Sequence, residues 1–180
     1  MNRSATYLTS GKDLRTLLKH CMKCSNVTRN GYNILCHTQL RNTHINKRIT
    51  KKAAYIVNSA IDYQNQIGHW FNIFFIASKN TIYLCDGLEY VIHLPRIMAN
   101  IYHFCHINNC MFTIMSIHCQ QKNSTICGYS ALYFVAKFST LNYKQFFNLQ
   151  KLFKRSSIET NEKNVLKYVQ NHFKFKFPLF

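Results

Sequence analysis

Residues 69 to 86, HWFNIFFIASKNTIYLCD, constrain the fold more than any other stretch. The runs at 69–77 and 80–86 are rich in β-branched and aromatic residues, and the polar Ser78-Lys79-Asn80 leaves room only for a tight turn between them. An antiparallel hairpin is the expected result. AAYIVN at 53–58 has the same character, so the three segments predict a meander. Hairpin pairing also joins distant positions: His69 opens one strand and Asp86 ends the next, which sets both at the same end of the sheet.

Helical patterns surround this centre. In KDLRTLLKHCM the apolar residues Leu14, Leu17, Leu18, Cys21 and Met22 recur at helical spacing. Pro95 is suited to the first position of a helix over LPRIMANIYHFC, and MFTIMSIH at 111–118 reads as a further strand. Ala131, Leu132, Val135 and Phe138 form one stripe of a helix over 127–138, with Ser124 or Thr125 available as its cap. Two more helices are expected at about 142–154 and 161–172. The fold class is α+β, with helices segregated from a mixed, mainly antiparallel sheet. No linker, repeat or low-complexity run divides the 180 residues, so 1–180 is read as a single domain with its centre at 53–138 and basic helical flanks at 1–52 and 139–180.

The net charge of +17 is unevenly spread. Residues 1–52 hold 11 Lys and Arg against Asp13 alone, residues 137–180 hold nine against Glu159 and Glu162, and residues 53–136 hold three of each sign. A neutral centre between two basic ends assigns chemistry and polyanion binding to different parts of one domain, with nucleic acid as the expected polyanion. Arg41, Lys47, Arg48, Lys51 and Lys52 are the candidate phosphate contacts. No apolar run reaches the ~18 residues of a membrane span, and MNRSATYLTSGKD lacks an apolar signal core, so no membrane partner and no secretion are expected. The eight cysteines follow no regular framework and are expected to be mostly free thiols.

One of those thiols occupies a special place. In QQKNSTICGYSALYFVAKF (120–138) a polar run ends at Cys127-Gly128 and the helical stripe begins at once. A thiol at a helix N-terminus feels the positive end of the macrodipole, which favours the thiolate. Nucleophilic catalysis further requires a base, an anion that orients the base, and donors for a developing oxyanion. His69 beside the single tryptophan, Trp70, and Asp86 in a chain of six acids are the base and the orienter that the hairpin brings together.

The order His69-Trp70, then Asp86, then Gln-Gln-x-Asn-x-x-x-Cys-Gly resembles the adenovirus-type cysteine endopeptidases and their relatives, the proteases of ubiquitin-like proteins. The match covers residues 53–138, and AAYIVNSA also resembles the strand that precedes His-Trp in the adenoviral enzymes. What the resemblance implies is a papain-like protease variant of α+β class, with Cys127 as nucleophile, His69 as base, Asp86 as orienter and Gln121, six residues before Cys127, as oxyanion donor. Trp70 would belong to the substrate cleft, and Cys110 stands where an activator peptide is disulfide-linked in the adenoviral type. The implied partners are polypeptides with glycine near the scissile bond, viral DNA and an activating peptide. No cofactor is implied for the chemistry itself. The implied setting is the virion and the host-cell nucleus or cytoplasm, and the implied task is cleavage of viral capsid and core precursors. Two alternatives are a protease for the tails of ubiquitin-like proteins and a non-catalytic nucleic-acid-binding protein on a degenerate protease fold. Asp86 stands where the adenoviral type has Glu, and Lys122 where the cellular branch has Pro.

Other motifs rank below this one. Cys21, Cys24 and Cys36, with His20 and His37, approach the spacing of a small zinc site, but Cys21 lies on an apolar helix face, so no metal is expected. The tail FKFKFPLF alternates like an amphipathic strand. Gly11-Lys12 lacks the glycine-rich loop and the following hydroxyl of a phosphate-binding loop.

Overall fold

The hairpin forms the middle of a five-stranded sheet in the computed structural model, which describes Leu14, residues 32–62 and residues 68–173. The elements, in chain order, are β1 (Tyr32–Cys36), β2 (Lys52–Asn58), β3 (Trp70–Ile76), β4 (Thr81–Cys85), α1 (Pro95–Ile107), β5 (Met111–Met115), α2 (Cys127–Thr140), α3 (Tyr143–Arg155) and α4 (Ile158–Phe173). The helix expected around Leu14–Met22, apart from Leu14 itself, lies outside the described residues, as do Cys21, Cys24 and the FKFKFPLF tail from residue 174 onward.

Strand order follows sequence order. β2, β3 and β4 form the antiparallel meander, with Asn58 opposite Trp70 and Ile76 opposite Thr81. Both outer pairings are parallel: β1 runs with β2, and β5 runs with β4. A parallel neighbour requires a crossover, and α1 supplies it between β4 and β5. The turn between β3 and β4 is closed by Asn80 in the left-handed region at φ 45°, with its N–H donating to the Ala77 carbonyl.

β3 is buried along its whole length because helices cover both faces of the sheet, so its sequence is apolar at every position but Asn72. On one face Leu35, Tyr55, Phe71, Ile73, Phe75 and Leu84 pack with Ile97, Ile101 and Phe104 of α1. On the other, Phe74 stacks on Phe138 of α2 at 4.6 Å and meets Phe146 of α3 edge-on at 5.2 Å. Removing such a buried ring costs about 3–5 kcal/mol. Asn72 stands in the same strand, and its amide donates 3.2 Å to the Ala131 carbonyl of α2, tying strand to helix by a buried polar bond.

Lys52 of β2 reaches the C-terminal end of α2, donating to the carbonyls of Leu141 at 3.0 Å and Phe138 at 3.4 Å. A cation there satisfies carbonyls that the helix leaves unpaired. Among the described residues no helix is long and apolar enough to cross a membrane.

Candidate active site

The register of the β3–β4 hairpin ends with Asn72 opposite Cys85. His69 and Asp86 stand just beyond it, in a diagonal relation that side chains can span. His69 Nε2 lies 2.6 Å from Asp86 Oδ1. Cys127 acts on the same imidazole, helping to raise its pKa, and with Nε2 engaged by Asp86 the nitrogen left for its thiol is Nδ1. Three residues from two strand ends and one helix start therefore meet around one imidazole.

Each member is held by its own surroundings. The His69 backbone is gripped on both sides by Ser59, whose hydroxyl accepts from the His69 N–H at 2.8 Å and whose N–H donates to the His69 carbonyl at 2.9 Å. Gly68 lets the chain pass close to this turn: a Cβ there would lie 2.1 Å from Asn58 Oδ1 and 2.7 Å from the Ala60 nitrogen. Tyr90 meets the His69 ring edge-on at a centroid distance of 5.9 Å and is itself exposed.

Asp86 is buried, and its carboxylate is saturated with donors. Oδ1 accepts from the Leu88 N–H at 3.1 Å, and Oδ2 accepts from the N–H groups of Tyr90 at 2.8 Å and Val91 at 2.9 Å. Burial alone would raise its pKa, but the His69 bond and charge and the backbone donors outweigh burial and leave it lowered. For His69 burial likewise opposes the charged form, yet bonds and charges from Asp86 and Cys127 raise its pKa to about 9. The partners of the ring thus favour the imidazolium form of His69.

Cys127 is the first residue of α2 and is half-buried. Ile126 occupies the N-cap position and supplies no side-chain acceptor, so the positive end of the helix dipole acts at the sulfur. The expected cap is Ser124 in a different role: its hydroxyl oxygen accepts from the Ile126 N–H at 3.3 Å. The segment that leads toward the helix is tied to the Asp86 turn through Gly87, whose carbonyl accepts from the N–H groups of Cys119 and Gln120. A Cβ at Gly87 would lie 2.8 Å from Cys119 Sγ, a contact that only glycine permits.

The glutamines divide sharply. Gln121 is exposed, and its backbone N–H donates to Glu162 Oε2 at 3.1 Å. Gln120 is 2% exposed, donates from Nε2 to the Ser124 carbonyl at 2.8 Å, and leaves Oε1 buried without a partner. Trp70, expected in the substrate cleft, is 6% exposed and belongs to the core beneath α2.

Sequence comparisons find no matching family model and no matching curated protein. Among solved structures the fold is similar to the SUMO protease Ulp1. The form with its catalytic cysteine oxidised to a sulfinic acid is 14% identical over 85% of this chain and 76% of that chain, with a TM-score of 0.45. The sulfonic acid form is 15% identical over 85% and 77%, also at 0.45.

The remaining predicted contacts are scattered. Cys110 lies between α1 and β5, half-buried, with its thiol donating to the Asn108 carbonyl at 3.3 Å. Burial raises its pKa, opposed by the Lys47 ammonium beside it. Lys47 is bonded to Asn80 Oδ1 at 2.6 Å and to the Asn109 carbonyl at 2.9 Å, while Arg41, Arg48 and Lys51 are exposed. Cys36 and His37 are both buried, and His37 Nδ1 bonds to the Asn100 amide at 2.7 Å. No cluster of metal-ligating side chains occurs among the described residues. Ser59 and Tyr90 carry no signal in the sequence; Gln120 is passed over there in favour of Gln121, and Glu162 stands out only as one of six acids.

Proposed function

We propose that this protein is a cysteine endopeptidase. The observation that carries the reading is His69 bonded at 2.6 Å to buried Asp86 and influenced by Cys127 at the start of α2. The Cys127 thiolate attacks the scissile carbonyl carbon, the C–N bond breaks, and the proton on His69 goes to the leaving amine. His69 then takes a proton from water, the resulting hydroxide attacks the thioester, and the C–S bond breaks to release the acid and return the thiolate beside protonated His69. Asp86 keeps Nε2 protonated so that Nδ1 faces the sulfur.

The oxyanion is received by the Cys127 backbone N–H and by a glutamine side chain. Burial favours Gln120 for that second role, because a desolvated donor acts more strongly than a solvated one. The resemblance in sequence spacing favours Gln121 instead. Paired substitution separates the two: Gln120→Ala lowering turnover by roughly 10²–10³ with Gln121→Ala near wild type supports the buried residue, and the reverse order supports its neighbour.

Polypeptides with glycine near the scissile bond are the proposed substrates, and maturation of viral capsid or core precursors the proposed task; both rest on the sequence resemblance. Stimulation by DNA is supported by the basic ends of the chain. Arg41, Arg48 and Lys51, with Lys144, Lys151, Lys154 and Arg155 along α3, are exposed cations suited to phosphate. Cleavage of a glycine-containing peptide library, with and without DNA and with Cys127→Ala as control, tests these points together. Cleavage that survives in Cys127→Ala refutes the nucleophile, and activity indifferent to DNA and to salt leaves the charge without a catalytic role.

A further inference from the structure

Glu162 lies outside the His69–Asp86–Cys127 chain but grips the turn that leads into it. One carboxylate oxygen, Oε1, accepts the Ser124 hydroxyl at 2.5 Å, and the other, Oε2, accepts the Gln121 N–H at 3.1 Å. Within the turn the Ser124 N–H donates to the Gln121 carbonyl at 3.0 Å, so a single side chain holds both ends of the Gln121–Ser124 turn. Ser124 passes the constraint on in two directions. Its hydroxyl oxygen accepts from the Ile126 N–H, one residue before Cys127, and its carbonyl accepts from Gln120 Nε2.

The grip is anchored on α4. Asn161, beside Glu162, is buried and donates to the carbonyls of Phe153 at 2.8 Å and His118 at 3.2 Å, which docks the first turns of α4 against the end of α3 and the segment leading to Gln120. Among the described residues Glu159 pairs with Lys163 and Glu89 accepts the Ser116 hydroxyl, whereas Glu162 accepts both an amide and a hydroxyl of the pre-nucleophile turn. Charge-assisted bonds of this kind are about twice as strong as neutral ones.

We propose that Glu162 is a positioning residue for the oxyanion side of the active site, acting through Ser124 and Gln121 on the loop that sets the Cys127 N–H and the glutamine donor. This rests on the endopeptidase reading above. Oxyanion donors must be placed before the reaction, and a displacement of about 1 Å can cost ~10²-fold.

The two halves of the site are separable by experiment. Alkylation of Cys127 by iodoacetamide needs the thiolate and His69 but forms no oxyanion, whereas peptide hydrolysis needs both. For Glu162→Ala the expected result is a kcat lowered roughly 10- to 100-fold, little change in KM, and an alkylation rate within about twofold of wild type. Ser124→Ala should reproduce part of the loss, and the double variant should lose little more than Glu162→Ala, because both act through one bond. Glu162→Gln, which keeps the shape and one acceptor, should fall between wild type and alanine and serves if the alanine variant does not fold. A wild-type kcat in Glu162→Ala or Glu162→Gln overturns the inference, as does a loss of alkylation in proportion to hydrolysis, which would mark a general structural role. If the wild-type protein cleaves no peptide, the endopeptidase reading itself has failed and this inference falls with it. Cleavage by wild type, abolished in Cys127→Ala and undiminished in Glu162→Ala, refutes the inference alone.

Discussion

His69 Nε2 and Asp86 Oδ1 stand 2.6 Å apart at the end of a hairpin whose strands are buried on both faces. The pair keeps its charges despite burial because Asp86 accepts three backbone N–H groups as well as the imidazole.

Removing the Asp86 charge should therefore act through His69. The alkaline limb of kcat/KM follows loss of the imidazolium that protonates the leaving amine, and in the wild-type protein it should lie near 9. Asp86→Asn takes away a group that raises that pKa, so the limb should move to lower pH, and kcat/KM should fall by roughly 10²–10⁴. His69→Ala should be worse. An alkaline limb that does not move in Asp86→Asn would contradict the assignment of Asp86 as orienter.

Stability should respond to pH with opposite signs at two histidines. Buried His37 has its pKa lowered, first by burial and then by the Arg96 charge, so the unfolded chain takes up the proton more readily. Its contribution is complete above the unfolded value of about 6.5 and is lost as pH falls below it. His69 is raised to about 9, so its contribution is complete below about 6.5 and is lost as pH rises through 9. Melting temperatures measured from pH 5 to 10 should pass through a maximum between these limits. His37→Asn should flatten the acid side and His69→Ala the alkaline side; slopes unchanged in both variants would contradict these environments.

Two glycines should be intolerant of even a methyl group, for different reasons. Gly87→Ala meets Cys119 Sγ at 2.8 Å and should cost about 1–3 kcal/mol in denaturant unfolding, partly recovered by Cys119→Ala because the obstacle is a side chain. Gly68→Ala meets the Ala60 backbone nitrogen as well as Asn58 and has no such simple remedy. Since the displaced turn carries Ser59, which grips His69, this variant should lose activity in addition to stability. Additive effects of Gly87→Ala and Cys119→Ala would show that the close approach is not the cause.

The hairpin and helices were legible because their cues are local. The apolar runs of β3 and β4, Pro95 at the start of α1 and the stripe of α2 each report on residues within one or two turns of chain. Antiparallel pairing followed from the short Ser78–Asn80 connection, and with it the approach of His69 to Asp86. β1 was not legible: five residues containing an Asn carry little strand signal, and the pairing with β2 is parallel and non-local. The parallel entry of β5 was implicit in a helix between two strands, since a crossover returns the chain in the same direction. At the site, local pattern located Cys127, but the burial of Gln120 over Gln121 depends on where Gly87 and α4 lie. Trp70 could be read as a cleft residue beside His69 because sequence does not say which face α2 will cover.

The central claim is that His69 and Asp86 activate one thiol among eight. It is tested most directly by timed iodoacetamide labelling of the native protein near neutral pH, with modified residues located by peptide mass mapping. The account predicts that Cys127 is labelled well before any other cysteine and that His69→Ala abolishes this lead while the protein stays folded. Labelling of Cys127 no faster than half-buried Cys110, or an undiminished lead in His69→Ala, would contradict it.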